Sequence, residues 1–158
     1  PRNHSSAASD VYKRQVVNTM INRDVVVKIM KGGNVFAEHI GNTLQPYGLS
    51  LQQFNVLRIL RGRNGAAASL ESVTGDMIHR MSNTSRIVDK LLEKGLVERV
   101  LCPENRRKVN IFITQRGLKL LKKIDRIINQ TEETLTASLS KQEMNQLLQL
   151  LNKINLQL

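Results

Sequence analysis

The side chains best suited to do chemistry in this sequence are polar ones at the start of a short amphipathic segment. Asn83, Ser85 and Arg86 stand close together, and Lys90 follows about one helical turn later. Asparagine can bond the edge of adenine and arginine the edge of guanine in the major groove, while lysine suits a phosphate. We predict that these four side chains, together with Ser82, contact duplex DNA. The alternative is a solvated polar face without a ligand.

A helix must position these side chains, and the pattern predicts where it begins and ends. Ser82 is predicted to be its N-cap, because a serine hydroxyl can accept a hydrogen bond from a free N–H of the first turn. Gly95 is placed to end the helix in a left-handed conformation. Helical spacing predicts one buried stripe, consisting of Thr84, Ile87, Val88 and Leu91. The predicted DNA contacts then fall on the other faces.

A hairpin with a cationic turn is predicted to follow this helix. Residues 96–100 suggest a strand, residues 103–105 interrupt it, and residues 109–114 alternate as a returning strand. The tip between them carries three cations, Arg106, Arg107 and Lys108. A short polar helix followed by such a hairpin is typical of a winged helix-turn-helix, in which the tip can reach a neighbouring groove.

The overall charge favours a polyanionic partner. The chain has 158 residues, a net charge of +11 and an isoelectric point near 10.3, and clustered cations are the electrostatic signature of nucleic-acid binding. Aromatic residues make up only 3% and tryptophan is absent, which argues against binding single strands by base stacking. The alternative is a soluble protein that is basic overall and has no nucleic-acid partner.

Cysteine content and hydropathy indicate the cellular compartment in which the protein is expected. A single cysteine, Cys102, excludes an internal disulfide framework and fits a reducing cytoplasm. No apolar run approaches the roughly 18 residues needed to span a bilayer, and no secretory signal peptide is evident. We therefore expect a cytoplasmic protein without a membrane partner.

Residues 49–117 resemble the MarR-type bacterial transcription regulators. The runs SNTSRIVDKLLEKGLVER and PENRRKVNIFITQRG carry the resemblance, which extends to nearly everything after Val16. It implies a mostly helical fold with a small β-wing, a winged helix-turn-helix joined to a helical dimerisation region. It also implies a dimeric repressor that binds a pseudo-palindromic duplex operator and responds to a small phenolic or lipophilic compound.

The wing departs from the pattern of this family at one position. The family carries an Asp-x-Arg pattern where this sequence reads Asn105-Arg106-Arg107. Arg107 matches the arginine that enters the minor groove, where a narrow groove strengthens the attraction for a guanidinium. An amide in place of the carboxylate can hydrogen-bond but cannot form an ion pair. The resemblance therefore implies that Arg107 binds DNA but is presented less rigidly.

Helical segments flank the predicted winged helix. Residues 16–45 have an apolar face weakened by Gly32-Gly33, and capping patterns open helices at Ser50, Thr114 and Ser140. Residues 70–80 are predicted to form the first helix of the helix-turn-helix, with Leu70, Val73, Met77 and Ile78 as core candidates. We predict a DNA-binding lobe at 49–114 and a dimerisation region at 16–48 and 115–158.

An effector site is a further implication of the resemblance, between the dimerisation helices and the DNA-binding lobe. Phe36, His39 and Tyr47 are candidates for its wall, although each is equally consistent with ordinary core packing. No cofactor or metal site is predicted, because zinc needs three or four converging ligands and the histidines are scattered. Cys102 is predicted to be an inert strand thiol.

No catalytic constellation stands out, so the sequence predicts a non-enzyme. Neither a Ser/His/Asp set nor a glycine-rich phosphate loop is present, since residues 62–65 lack the Lys-Ser/Thr of a P-loop. The rival to a DNA-binding regulator is a winged helix that mediates protein interaction and dimerisation without binding DNA.

Residues 1–15 are predicted to be a non-native tail. Ser5–Gln15 reads SSAASDVYKRQ, which matches the in-frame translation of a common transposase-based sequencing adapter. A segment of this origin is not part of the native protein and carries no information about its fold. The tail contains three cations, Arg2, Lys13 and Arg14, and one acid, Asp10, so without it the net charge falls from +11 to +9. The basic character remains.

Overall fold

The computed structural model describes residues 5–78, 83–102 and 105–154, with side chains described for 19–78, 83–101 and 109–154. Six α-helices and three strands follow one another: α1 (Ser5–Leu44), α2 (Leu51–Gly62), β1 (Ala68–Ser69), α3 (Leu70–Asp76), α4 (Thr84–Glu93), β2 (Val97–Cys102), β3 (Asn105–Ile113), α5 (Gln115–Thr136) and α6 (Lys141–Lys153). A short 3₁₀ turn, Gln45–Tyr47, joins α1 to α2. The chain divides into one compact unit up to Glu38 and another from His39 onwards.

The described part of the first unit is the portion of α1 up to Glu38, and the last turns of α1 belong to the second unit. The helix begins at Ser5 rather than at the predicted residue 16 and runs unbroken through Gly32-Gly33. A Cβ added at either glycine would meet nothing within 4 Å. Most of its described apolar side chains, such as Val25 and Ile29, are exposed, so this helix has a free apolar surface within its own unit.

The core of the second unit lies between α2, α3, α4, the sheet and α5. It is built from aliphatic side chains with almost no exposed area, among them Leu57, Val73, Val88, Leu91, Ile111, Leu121 and Ile124. The three strands are antiparallel in the order β1-β3-β2, with Ala68 opposite Ile111 and Val97 opposite Ile113. The predicted winged helix-turn-helix, mostly helical with a small β-wing, is confirmed.

Local capping confirms the predicted starts of three helices. Ser50 and Gln53 form a reciprocal capping box on α2, at 3.2 Å in both directions. Ser140 and Glu143 do the same on α6, and the hydroxyl of Thr114 accepts a hydrogen bond from the N–H of Gly117 on α5. Each cap satisfies a backbone donor that the helix cannot pair internally.

The first helix of the helix-turn-helix is shorter than predicted. It ends at Asp76, and Met77 adopts an extended conformation with ψ of 137°. Val73 and Met77 are buried as predicted, but Ile78 is 67% exposed and its assignment to the core was wrong. Gly75 weakens the last turn, and the helix ends at the next residue. Among the described helices, none is long and apolar enough to cross a membrane.

Candidate nucleic-acid interface

The recognition helix α4 is anchored by the stripe that the sequence predicted. Val88 and Leu91 have no exposed area and Thr84 is buried, while Ile87 is partly buried against the core. Gly95 follows the helix with φ of +66°, the left-handed conformation expected of it. These contacts leave the opposite surface of α4 to solvent.

That surface carries four of the predicted DNA contacts. Asn83, Ser85, Arg86 and Lys90 are all exposed, and all but Ser85 line a groove of about 740 Å³ between α4 and the N-terminal turn of α2. Ser50 and Gln52 form the other side of this groove. The structure thus brings these cations and amides together on one accessible face.

The N-terminus of α4 differs from the prediction by one residue. Asn83, not Ser82, is the N-cap, and its Oδ1 accepts a hydrogen bond from the backbone N–H of Arg86 at 3.1 Å. Both side chains are good caps, and assigned helix boundaries commonly shift by a residue. Ser82 itself lies outside the described residues. The consequence is that one oxygen of Asn83 serves both the helix and any adenine that it contacts.

An ion pair that the sequence did not indicate joins α4 to the wing. Arg99 Nη1 of β2 lies 2.7 Å from Asp89 Oδ1 of α4. Both side chains are partly exposed, so the pair contributes little to the free energy of unfolding. Its effect is geometric, because it connects the middle of the recognition helix to the first strand of the wing. Only the folding of the hairpin brings these two charges together.

A second connection holds the C-terminus of α4 against α2. The Nζ atom of Lys94 donates hydrogen bonds to the carbonyl of Gly48 and, at 3.0 Å, to Oε1 of Gln53. Gln53 also completes the capping box of α2, so one buried amide serves two helices. Sequence reasoning missed Lys94, because nothing in the local pattern distinguishes it from a solvated lysine.

The cations of the wing lie on a strand rather than in a turn. The strand β3 begins at Asn105, which pairs with Cys102, and therefore includes Arg106, Arg107 and Lys108. The prediction that the returning strand starts at residue 109 was wrong by four residues. The side chains of 102–108 lie outside those described, as do residues 103–104, so the DNA contacts predicted here stay predictions.

The three predicted effector residues have different surroundings. Phe36 is 46% exposed, His39 is exposed, and Tyr47 is half-buried. Tyr47 lines a pocket whose other described lining residues include Leu96 and members of α5, and His39 is not among them. His79 lies outside the described residues. Within the described part of the chain, no three His, Cys, Asp or Glu side chains converge as metal ligands.

Comparison with known proteins identifies this lobe. Residues 49–109 match the model of the MarR family. This segment of the chain is similar to the MarR family. The matched segment begins just before α2 and ends within β3, so it contains both helices of the helix-turn-helix and β2. The resemblance predicted from the sequence is confirmed.

Solved structures of MarR-like regulators share the fold over most of the chain. A MarR-like transcription regulator from Bacillus cereus has a TM-score of 0.77 at 21% identity, covering 85% of this chain and 95% of its own. A cysteine-to-serine variant of MarR from Escherichia coli, complexed with operator DNA, has a TM-score of 0.76 at 24% identity, covering 87% and 96%. BpsR from Bordetella bronchiseptica, whose DNA binding is regulated by 6-hydroxynicotinic acid, has a TM-score of 0.75 at 22% identity, covering 83% and 98%. At these identities the likeness is one of fold.

Proposed function

We propose that this protein is a transcription regulator that binds a specific duplex-DNA operator. The observation that carries the proposal is the exposed face of α4. Its polar side chains are exposed to solvent, namely Asn83, Ser85, Arg86 and Lys90, while the stripe on the opposite face is buried. An α-helix fits the major groove, and its first turns approach the base edges. The protein acts through binding rather than catalysis.

The wing adds affinity in this proposal. Arg106, Arg107 and Lys108 supply phosphate and minor-groove contacts beside the recognition helix, and Arg107 is the residue that enters the minor groove. Backbone contacts of this kind position the protein without reading sequence. Asn83 and Arg86 then supply the sequence preference, with Ser82 and Ser85 beside them and Lys90 on a phosphate.

The regulator acts as a homodimer in the cytoplasm. Residues 16–48 and 115–158 form its dimerisation region. The helices α1 and α6 expose apolar side chains such as Val25 and Leu148, and exposed apolar patches mark interaction surfaces. Two recognition helices then enter successive major grooves about 34–36 Å apart. The operator is accordingly pseudo-palindromic.

A small-molecule effector controls the affinity for DNA, and the regulator is a repressor. The regulation of BpsR by 6-hydroxynicotinic acid supports this part of the proposal, since the two chains share a fold. An effector acts only if it binds one conformation more tightly than another. The candidates from the sequence, Phe36, His39 and Tyr47, are the first positions to substitute.

The experiment that tests DNA binding is a salt titration on random duplex DNA, with the mass in solution measured on the same sample. We expect a dimer whose affinity falls steeply with salt. In a plot of log affinity against log salt concentration, each DNA phosphate that the protein neutralises makes the slope more negative by about 0.9. Arg86→Ala should reduce the affinity for an operator selected from random sequence. Arg126→Ala, which removes an exposed arginine from α5, is the matched control and should change it little.

A dimer without measurable DNA affinity at low salt would overturn the proposal. The exposed apolar surfaces of α1 and α6 would then favour the alternative, a winged helix that serves protein interaction only. That alternative also predicts that Arg86→Glu leaves function intact.

A further inference from the structure

A cationic pocket lies on the second unit at the C-terminal end of α4, away from the exposed N-terminal turns that approach DNA. It has a volume of about 460 Å³, and its cationic lining residues are Lys94, Arg116, Lys119 and Lys123. None of the described residues that line it is acidic. Four positive charges therefore face one cavity without a carboxylate to neutralise them.

The rest of the lining is apolar. Leu96 is buried, and Leu120 and Tyr47 are partly buried at the surface of the core. Lysine stems can cover such a surface while their charged ends stay in water. The pocket thus combines an apolar floor with a cationic rim, whereas a simple solvated face offers charge alone.

Contacts within the chain hold part of this rim in place. Lys94 is fixed by its hydrogen bonds to Gly48 and Gln53. The ammonium of Lys123 lies 5.7 Å from the centroid of the Tyr47 ring, within the range of a cation–π interaction. The Nη1 atom of Arg116 lies near Gly95, 3.7 Å from the position that a Cβ would take there.

The other cations of α5 have different surroundings. Lys122 and Arg126 share a groove with Asp125 and Glu133, so carboxylates balance their charge. Lys119 and Lys123 occupy the same helix but lie in a cavity without an acid. The uncompensated charge is therefore a property of the pocket and does not extend around the helix.

We propose that this pocket binds a phosphorylated small molecule that carries a flat apolar ring, such as a nucleoside triphosphate. Several anionic oxygens are needed to match four cations, and a guanidinium can bind phosphate through two parallel hydrogen bonds. The floor of Leu96, Leu120 and Tyr47 accepts the ring. The volume lies within the range typical of small-molecule sites, about 300–1,000 Å³. The pocket contains Tyr47, so this inference names a ligand class for the effector site of the proposed function and rests on that proposal. The binding itself is measured without DNA, so its failure is distinguishable from a failure to bind DNA.

The test is isothermal titration calorimetry of the full chain with ATP, inorganic triphosphate and adenosine, without divalent cations and at about 0.15 M salt. We expect ATP to bind more tightly than triphosphate, and both to bind more tightly than adenosine. The double variant Arg116→Gln/Lys119→Gln should weaken ATP binding at least about tenfold, equivalent to about 1.4 kcal/mol. The control Lys122→Gln/Arg126→Gln removes the same charge from the same helix and should change the affinity less than about twofold.

Three outcomes would overturn the proposal. An equal loss of ATP affinity in both double variants would mean that ATP is attracted by the general positive charge of α5 and not by this pocket. Triphosphate binding as tightly as ATP would remove the role of the apolar floor. A loss of DNA affinity in Arg116→Gln/Lys119→Gln without any change in ATP binding would assign the cations to the DNA backbone instead. Circular dichroism of each variant confirms that it is folded.

Discussion

Asn83 caps α4 and is also proposed to read a base, and its amide oxygen would take part in both roles. Its Oδ1 caps α4 through the N–H of Arg86, and its amide is exposed at the position proposed to read a base. Pairing with adenine needs both the amide oxygen and the amide nitrogen. The oxygen has two lone pairs, so capping and reading are compatible.

Substitution of Asn83 can separate these tasks. Asn83→Ala should lower the free energy of unfolding by about 1 kcal/mol, because the cap is lost. Asn83→Ser keeps a capping oxygen and should retain that stability, yet it loses the bidentate geometry and should alter base preference by about 1–3 kcal/mol. Urea unfolding and competition between operator variants measure the two effects. If Asn83→Ser keeps the original base preference, Asn83 reads no base.

Gly117 is a glycine for reasons of space rather than backbone conformation. A Cβ at this position would lie 2.4 Å from the carbonyl oxygen of Leu96 and 2.7 Å from Cγ1 of Ile113. That carbonyl accepts a hydrogen bond from the N–H of Thr114 at 3.0 Å, so it cannot move freely. The glycine lets α5 pack directly against the turn that follows α4.

We expect Gly117→Ala to destabilise the protein by about 1–3 kcal/mol, the usual cost of overpacking. The gain in helix propensity from alanine, about 1 kcal/mol, does not offset a clash with the backbone. Gly75→Ala is the control, since Gly75 lies in α3 with nothing within 4 Å of its added Cβ and should be neutral or stabilising. Midpoints of urea unfolding compare the two. Equal changes in the urea midpoint of the two variants would mean that the backbone at Leu96 moves away and removes the clash with the new Cβ.

At the scale of elements, α4 is held at several points along its length. Asn83 caps its start, Asp89 pairs with Arg99 of the wing, and Lys94 bonds α2 at its end. Each contact is modest by itself, and the buried stripe supplies most of the packing. Together they set the direction in which the recognition helix faces the solvent.

The capping box of α6 is expected to respond to pH. Hydrogen bonds from the backbone N–H and then the hydroxyl of Ser140 lower the pKa of Glu143 below its ordinary value. A lowered pKa means that the ionised carboxylate favours the folded helix. This contribution is present above the pKa of the unfolded chain, about 4.3, and is lost as the pH falls through the folded value.

Ser140→Ala should raise the pKa of Glu143 towards its ordinary value, because the hydroxyl donor is lost while the backbone donor remains. Carboxyl carbon chemical shifts followed by NMR during an acid titration give this pKa. Ser138→Ala removes a nearby hydroxyl outside the capping box and should leave the pKa of Glu143 unchanged. An identical titration in Ser140→Ala and the wild-type chain would contradict the assigned role of the hydroxyl.

At the scale of the whole molecule, the exposed apolar surfaces of α1 and α6 require an explanation. Leu147 and Leu148 of α6 are exposed, the latter by 58%, and Phe36 of α1 by 46%. Single exposed apolar side chains are ordinary, but repeated ones on a helix mark an interface. The proposed homodimer would cover these surfaces with a second copy of the chain.

Leu147→Glu/Leu148→Glu should convert the proposed dimer to a monomer, because two charges would be buried without partners. Sedimentation equilibrium measures the mass directly. Gln149→Glu adds a charge to the same helix at a polar position and should leave the dimer intact. Should the leucine variant remain dimeric, α6 would not be part of the interface, and α1 would become the segment to test.

Local patterns in the sequence determined the starts of α2, α5 and α6, the buried stripe of α4 and the winged helix. Capping boxes and apolar periodicity act over a few residues, so Ser50, Thr114, Ser140 and Gly95 could be assigned from their neighbours alone. The sequence also indicated which side of α4 faces solvent, since Thr84, Val88 and Leu91 recur at helical spacing. Its resemblance to the MarR family followed from the same stretch.

Only the tertiary structure decided which distant side chains meet. Asp89 reaches Arg99 because the hairpin folds back beside α4, and Lys94 reaches Gln53 because α2 packs against the end of α4. The cationic pocket likewise needs α5 to lie beside the turn that contains Tyr47. These contacts join residues that no local period relates, because chain folding rather than sequence spacing sets the distance between them.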